Sequence, residues 1–326
     1  QVISDDIYNQ LVFTGDRVAP HLLHVAPDLK SRVLVVNGGS KTYSVTGWRI
    51  GWALGEPALV QAMANYQSQT TSCAAPFTQA AALATQPTFA GGAGSDILNI
   101  NAGSHTFNTD ANASTSSLTV NVAAGASATF NATQHLAALN IDGGAASLTA
   151  TGGKVLVTHS LSIINSGRLD LNDNDVIVDY TSASPIGSWN GSAYTGILGL
   201  VQTGRNNAAW NGPGLDSTNA GASGGLTSLG VDEAASVFQI TSGQTASFDG
   251  QTVDSTAVLV KYTYTGDANL DGRLNGDDYF AIDSHVSQNG SVFGWFNGDF
   301  NYDGRINGDD YFLIDSNINQ QSLGIL

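Results

Sequence analysis

Two stretches near the end of the chain place oxygen-bearing side chains at a repeated spacing, and they align without gaps 32 residues apart. The first is Gly266-Asp-Ala-Asn-Leu-Asp-Gly-Arg-Leu-Asn-Gly-Asp-Asp-Tyr-Phe-Ala-Ile-Asp283; the second is Gly298-Asp-Phe-Asn-Tyr-Asp-Gly-Arg-Ile-Asn-Gly-Asp-Asp-Tyr-Phe-Leu-Ile-Asp315. Each reads Asp-x-Asn-x-Asp-Gly-x-(Leu/Ile)-Asn-x-x-Asp, the spacing with which one tight loop offers a calcium ion its six to eight hard oxygens. In the first loop Asp267, Asn269 and Asp271 supply side-chain oxygens and Arg273 a backbone carbonyl. Asn275 acts through a water, Asp278 closes the loop in bidentate fashion, and Gly272 allows the sharp turn. In the second loop the same roles fall to Asp299, Asn301, Asp303, Arg305 (carbonyl), Asn307 and Asp310, with Gly304 at the turn. Aspartates gathered so closely repel one another without a cation among them, which ties the folding of this segment to calcium.

Elsewhere the signals are weaker. Asp170, Asp173, Asp175 and Asp179 could bind calcium or act as paired carboxylates of a glycosidase or lyase, and a solvated turn and strand edge accounts for them more simply. His105, His135 and His159 stand isolated and read as surface or turn residues.

Near the other end runs Asn37-Gly-Gly-Ser-Lys41-Thr-Tyr-Ser-Val-Thr46-Gly-Trp-Arg49-Ile-Gly-Trp, flanked by Ser4-Asp5-Asp6-Ile7-Tyr8 and Gln67-Ser-Gln-Thr-Thr-Ser-Cys73. In this order the three strings resemble the active-site segment of class I aminotransferases, the fold-type I pyridoxal-phosphate enzymes of the aspartate aminotransferase group, over residues 1–86. The resemblance implies that Lys41 is the Schiff-base lysine and that Asp5 keeps the cofactor's pyridine nitrogen protonated. It also implies that Tyr8 hydrogen-bonds the ring's phenolic oxygen and that Arg49 grips the phosphate, with Ser40 adding a hydroxyl contact. In that family the first half of the large domain precedes this segment, and a small domain after it supplies the arginine for the substrate carboxylate. Neither has a counterpart here: Arg168, Arg205, Arg273 and Arg305 all lie in other contexts. The expectation is a unit that handles an amino acid and a 2-oxo acid only if completed, and that is not catalytically competent alone.

The duplicated loops read as EF-hand loops closed by Asp instead of Glu. As a pair they resemble a type I dockerin, which joins two loop–helix units without the first helix of a full EF-hand. That resemblance implies two calcium ions and a docking protein as partner. Loop positions 10 and 11, where a Ser-Thr type pair selects the cohesin, are here Gly276-Asp277 and Gly308-Asp309. The departure argues against a standard cohesin and leaves another docking protein open.

Charge divides the chain at the same places. Residues 1–86 carry five acids (Asp5, Asp6, Asp16, Asp28, Glu56) and five bases (Arg17, Lys30, Arg32, Lys41, Arg49), so the net charge of −16 lies in the rest. A surface this acidic argues against nucleic acid or anionic lipid as partner. No apolar run reaches the ~18–20 residues of a membrane helix. Cys73 is the only cysteine, which excludes an intrachain disulfide. The chain opens on Gln1 and shows no signal peptide, so it reads as cut at its start. Localisation signals conflict: cytoplasmic for the aminotransferase-like part, secreted or cell-surface for residues 87–326.

The elements that must carry these residues follow from periodicity. Val2 to Tyr8 reads as a short buried strand and Arg32 to Asn37 as a parallel, two-sided one. Leu59, Val60, Ala62, Met63 and Tyr66 fall at helical spacing within 56–70, and Ala75–Ala84 is a second helix candidate. From Pro87 the composition shifts to Gly, Ala, Ser, Thr and Asn, and short apolar alternations recur every eight to ten residues up to Tyr180. Short rungs, Asn/Gly loops and few aromatics favour a parallel β-solenoid over a sandwich for residues 95–180. Residues 185–230, with Trp189 and Trp210, read as a loop-rich insertion, and strands resume at Ser236–Thr241 and Thr256–Thr263. Leu274 and Ile306 should point inward. A helix should follow each loop with the apolar faces Tyr279, Phe280, Ile282 and Tyr311, Phe312, Ile314.

The expected whole is a multi-domain chimera. It comprises a partial α/β pyridoxal-phosphate-transferase fragment (1–86), an all-β domain (87–264) and a small α module of paired calcium loops (265–320). The alternative is a calcium-dependent extracellular structural or docking protein with no enzymatic activity; a carbohydrate-active β segment is a third, weaker reading.

Overall fold

The structure, a computed structural model, describes residues 2–8, 19, 21–42, 46–70, 74, 95–111 and 117–321. The chain divides into two units, Gln1–Pro87 and Thr88–Leu326. No described helix is long and apolar enough to cross a membrane.

In the first unit β1 (Val2–Asp5), β2 (Val33–Gly38) and β3 (Gly51–Leu54) form one sheet in that order. β1 runs parallel to β2, with Asp5 opposite Val36, and β3 runs antiparallel to it. The β-branched run Val33-Leu34-Val35 is buried because a strand lies on each side of it. The buried strand expected over Val2–Tyr8 is instead a four-residue edge: Val2 and Ile3 are 40% and 71% exposed, having a described neighbour on one side only. The helix expected over 56–70 is present as Pro57–Thr70. It buries none of its residues, and its apolar stripe leaves Tyr66 74% exposed. The helix expected at Ala75–Ala84 lies outside the described residues.

The second unit is solenoid-like. Its first coil comprises β4 (Asp96–Ile100) and β5 (Gly103–Phe107). The second comprises β6 (Leu118–Ala123), β7 (Ala126–Phe130) and β8 (Gln134–Leu136). The third comprises β9 (Ala138–Asp142), β10 (Ala145–Leu148) and β11 (Val155–Thr158), and the fourth β12 (Leu161–Ile164), β13 (Arg168–Asp170) and β14 (Asp175–Asp179). Equivalent strands of successive coils pair in parallel and build three sheets. The period-2 alternation sends one set of side chains inward. Leu118, Val120, Phe130, Leu136, Leu139, Leu156 and Leu169 are all fully buried, each contributing about 1.5–3 kcal/mol by leaving water. On the outer face asparagines stack in register: Asn140 Nδ2 donates to Asn121 Oδ1 at 2.8 Å, and Asn121 Nδ2 to Asn99 Oδ1 at 2.7 Å.

The loop-rich insertion expected at 185–230 is instead an ordered part of this core. Helix Gly196–Arg205 packs on β15 (Gly214–Asp216), which extends the sheet of β13 in parallel. The strand expected at Ser236–Thr241 is also corrected, since Ala234–Val237 is one helical turn. Around it, β16 (Thr227–Glu233) and β19 (Ala257–Tyr264) pair antiparallel, and β19 joins β14 in the same sense. The hairpin β17 (Thr245–Phe248) and β18 (Gln251–Asp254) lies between them in sequence. The paired loops do not stand apart from this core: Ile282, Trp295, Phe300, Tyr302, Ile306 and Ile314 belong to the same buried cluster as the solenoid.

Candidate functional site

Lys41 follows β2 directly, in a helical turn over Gly39–Thr42. Because β1 and β2 are parallel neighbours, their carboxyl ends carry Asp5–Tyr8 and Ser40–Lys41 to the same edge of the sheet. Lys41 Nζ lies 5.7 Å from the centroid of the Tyr8 ring, within reach of its π face. Ser40 is half-buried; Asp5, Tyr8 and Lys41 are exposed. The other two expected residues are not brought into contact with Lys41. Asp5 Oδ1 accepts the N–H of Ile7 at 3.4 Å. Arg49, at a positive φ of 52°, turns back so that Nη1 donates to the Thr46 carbonyl at 3.3 Å. Beside them is a pair that sequence reasoning missed: His21 Nε2 lies 2.7 Å from Asp6 Oδ2, and Ser4 Oγ donates to Asp6 Oδ1 at 2.8 Å.

As a donor set, amine, carboxylate, phenol, hydroxyl and guanidinium are what pyridoxal phosphate requires. Their setting here is open to water, which weakens each electrostatic contact compared with an enclosed site.

The family model for aminotransferase class I and II matches residues 1–93. The N-terminal segment is aminotransferase-like. Its similarity to a probable aspartate/prephenate aminotransferase of Rickettsia bellii is 50% identity over 82 residues, 25% of this chain and 20% of that protein. An aspartate aminotransferase of Rhizobium meliloti is 50% identical over 84 residues, covering 26% and 20%. The solved structure of an aspartate aminotransferase from Rhizobium meliloti is 45% identical over 26% of this chain and 22% of that one, with a TM-score of 0.24. The chain thus spans about a fifth of the length of the curated relatives it matches.

The paired loops form the second candidate. Each is followed by a ten-residue helix, Gly276–His285 and Gly308–Asn317. The geometry repeats almost atom for atom. Asp271 N donates to Asp267 Oδ1 and Asp303 N to Asp299 Oδ1, both at 3.1 Å. Ala268 N donates to Asp278 Oδ1 and Phe300 N to Asp310 Oδ1, both at 2.8 Å. Gly272 and Gly304 turn at φ 79° and 78°, the left-handed region that favours glycine. Across the pair, Tyr279 Oη donates to Asp315 at 2.6 Å and Tyr311 Oη to Asp283 at 2.5 Å. Leu274 and Ile306 are buried as expected, and so are Ile282 and Ile314. Phe280 and Phe312, expected on the inner face, are 69% and 68% exposed, because helical spacing turns them away from the contact.

Asp267, Asp278, Asp299 and Asp310 are fully buried. Burial raises Asp267 and Asp310 to about 7 and Asp278 and Asp299 to about 6, against the N–H donors that favour the charged form. Among the described residues no group of three or more His, Cys, Asp or Glu side chains is placed to hold a metal ion. The remaining donors of a calcium loop are amide and backbone oxygens. Within each loop the buried carboxylates accept backbone N–H groups and also feel the charge of neighbouring aspartates, which raises their pKa further.

Asn275 and Asn307, expected to act through water, are N-caps, accepting from Asp277 N at 2.7 Å and Asp309 N at 2.8 Å. Asp278 and Asp310 complete a capping box in each case. The pattern Asn-x-x-Asp before a helix was the available signal. The partners of the second loop had none. Tyr194 Oη donates to Asp299, Gln202 Nε2 donates to the Tyr302 carbonyl at 2.7 Å, and Trp189 lies against Gly304. Burial lowers the pKa of Arg205, while the charges of Tyr302, Asp299, Asp310 and Asp303 oppose that shift. The first loop has different neighbours: Thr263 Oγ1 donates to Asp267, and Trp295 Nε1 donates to the Asp267 carbonyl at 2.6 Å.

The histidines read as isolated are partly engaged. His135 Nδ1 lies 2.5 Å from Asp110 Oδ2 and Nε2 lies 2.9 Å from Gln251 Oε1, and the Asp110 bond raises its pKa. Those partners lie 25 and 116 residues away, beyond the reach of any local pattern. The four aspartates at 170–179 occupy separate contacts. Asp170 accepts from Thr218, Asp173 from Thr151 N, and Asp175 from Tyr262 N; Asp179 lies beside His159.

Proposed function

We propose that residues 1–86 are an aminotransferase-derived unit whose cofactor lysine is Lys41 and which does not complete amino-group transfer on its own. The supporting observation is Lys41 over the Tyr8 ring at the carboxyl ends of two parallel strands, within a segment matched by the class I and II family. Pyridoxal phosphate, when bound, supplies the electron sink for reactions at an amino acid's α-carbon. Lys41 would hold it covalently, Asp5 would keep its ring nitrogen protonated and Tyr8 would donate to its phenolic oxygen. Arg49 and Ser40 would hold its phosphate, which requires Arg49 to leave the Thr46 carbonyl. An amino acid and a 2-oxo acid become substrates only with the polypeptide that encloses the site. The experiment is a spectroscopic titration with pyridoxal phosphate, alongside an amino-transfer assay. Binding in the full chain, its loss in Lys41→Ala and the absence of turnover support this reading. Turnover by the chain alone would refute the incompleteness, and equal binding by Lys41→Ala would refute the assignment.

A second reading concerns residues 87–326 and rests on the four buried aspartates of the paired loops. On that reading the solenoid and a dockerin-like tail at 265–320 form a calcium-stabilised extracellular unit. The ligands are Asp267, Asn269, Asp271, Arg273, Asn275 and Asp278 in the first loop, and Asp299, Asn301, Asp303, Arg305, Asn307 and Asp310 in the second. The tail would engage a docking protein. Calorimetric unfolding with calcium and with chelator tests it: a melting temperature that rises with calcium, and no longer does so in the Asp267→Ala, Asp299→Ala double variant, is the expected result. No response at millimolar calcium would end the reading.

A further inference from the structure

Beside the second loop lies a hollow of about 570 Å³, within the size range of small-ligand sites. Its walls are two aromatic rings, Trp189 and Phe293, stacked at 6.0 Å with 24° between their planes and both half-buried. Its floor is backbone, since Gly191 and Gly304 bring no side chains to it. Trp189 is fixed in place. It is bridged to Tyr194 in a short hairpin, it meets that ring edge-on at 5.1 Å, and it leaves no room for a Cβ at Gly304.

The polar groups of the hollow are donors. Asn289 Oδ1 is occupied by the N–H of Ile306 at 3.3 Å, which leaves its Nδ2 without a hydrogen-bond partner among the described residues. Arg305 is exposed, and no described carboxylate lies within salt-bridge distance of its guanidinium. No acid lines the hollow. An aromatic face with donors at its rim and one unpaired positive charge complements a ring rich in acceptor oxygens that carries a carboxylate.

We propose that this hollow binds a uronic-acid unit of an acidic polysaccharide. The pyranose stacks on Trp189, Arg305 pairs with the carboxylate, and Asn289 Nδ2 donates to a ring or hydroxyl oxygen. The site draws on residues of the second unit alone, and it uses the Arg305 side chain rather than the backbone carbonyl assigned to calcium.

The test is calorimetric titration of the full chain, in calcium buffer, with trigalacturonate and with the neutral galactose trimer of the same linkage. Tryptophan emission is followed in parallel. The expected result is binding of the uronate at least tenfold tighter than the neutral sugar, with a change in emission. Arg305→Met, which keeps the side-chain stem and removes the charge, should reduce uronate affinity at least tenfold and leave the melting temperature unchanged. Trp189→Ala should abolish binding of both sugars; Asn289→Ala, at the rim, serves as the second variant should Trp189→Ala fail to fold. Equal affinity for the two trimers, unaltered uronate binding in Arg305→Met, or binding of neither sugar would overturn the proposal.

Discussion

The hydroxyl of Tyr194 donates to the carboxylate of Asp299 and accepts the N–H of Gly294 at 2.8 Å, so one phenol ties the 188–205 segment to the start of the second loop. The first loop has no such tie to that segment, and Asp267 is met by Thr263 from the adjoining strand end. Two loops of nearly one sequence therefore sit in unlike surroundings.

Replacing Tyr194 with Phe keeps the ring and removes both bonds. A hydrogen bond to a charged acceptor is worth about 1.5–3 kcal/mol net, and the Gly294 N–H loses its acceptor as well. Denaturant unfolding of Tyr194→Phe should show a loss of that order in the second unit, with an unchanged m-value.

On the calcium reading the loops should differ in affinity. Arg205 carries a positive charge close to the second loop's acids, and among the described residues no cation shifts Asp267 or Asp278 of the first. A resident cation competes with an incoming one, so the first loop should fill first. Arg205→Met should tighten the weaker of two calorimetric binding steps severalfold and leave the stronger one unaltered.

Asp232 is 6% exposed, its Oδ2 has no hydrogen-bond partner, and burial raises its pKa to about 7. Between pH 4 and 7 the folded state keeps a proton that the unfolded chain has released, so this residue's contribution to stability falls as pH rises through that window. Above pH 7 the buried charge costs on the order of 2–4 kcal/mol. Asp232→Asn should therefore be more stable than the parent at pH 8, with the difference shrinking towards pH 4 as measured by urea midpoints.

Within the asparagine ladder, Asn121 both donates to Asn99 and accepts from Asn140. Asn121→Ala removes two bonds where Asn99→Ala removes one, at about 0.5–1.5 kcal/mol each. The central substitution should lower the melting temperature more than the terminal one.

The solenoid rungs were legible because inward and outward residues alternate along each short strand, as in Leu118-Thr-Val-Asn-Val122. The segment at 185–230 was not, because its order comes from contacts with distant strands. Gly199 and Gly204 lie within a helix, and a Cβ at Gly204 would come within 1.8 Å of the Leu215 carbonyl. Gly204 is a glycine because the helix lies directly on β15, a contact that no local pattern expresses, while a Cβ at Gly199 would meet the Tyr194 carbonyl at 2.6 Å. The sharp turns at Gly272 and Gly304 were legible from the loop spacing. Tyr194, Gln202 and Arg205, which surround the second loop, were not, since they come from about 100 residues upstream. At the other end, only the family resemblance placed Lys41 and Tyr8 in one site, while the turn of Arg49 back to the Thr46 carbonyl depends on a positive φ that the sequence does not announce.

The most direct test of the aminotransferase-derived reading is to incubate the full chain with pyridoxal phosphate, reduce it with borohydride and map the labelled peptide. The chain offers four lysines, Lys30, Lys41, Lys154 and Lys261. The account predicts label at Lys41 in clear excess over the other three. Label spread evenly among them, or concentrated at another lysine, would contradict it.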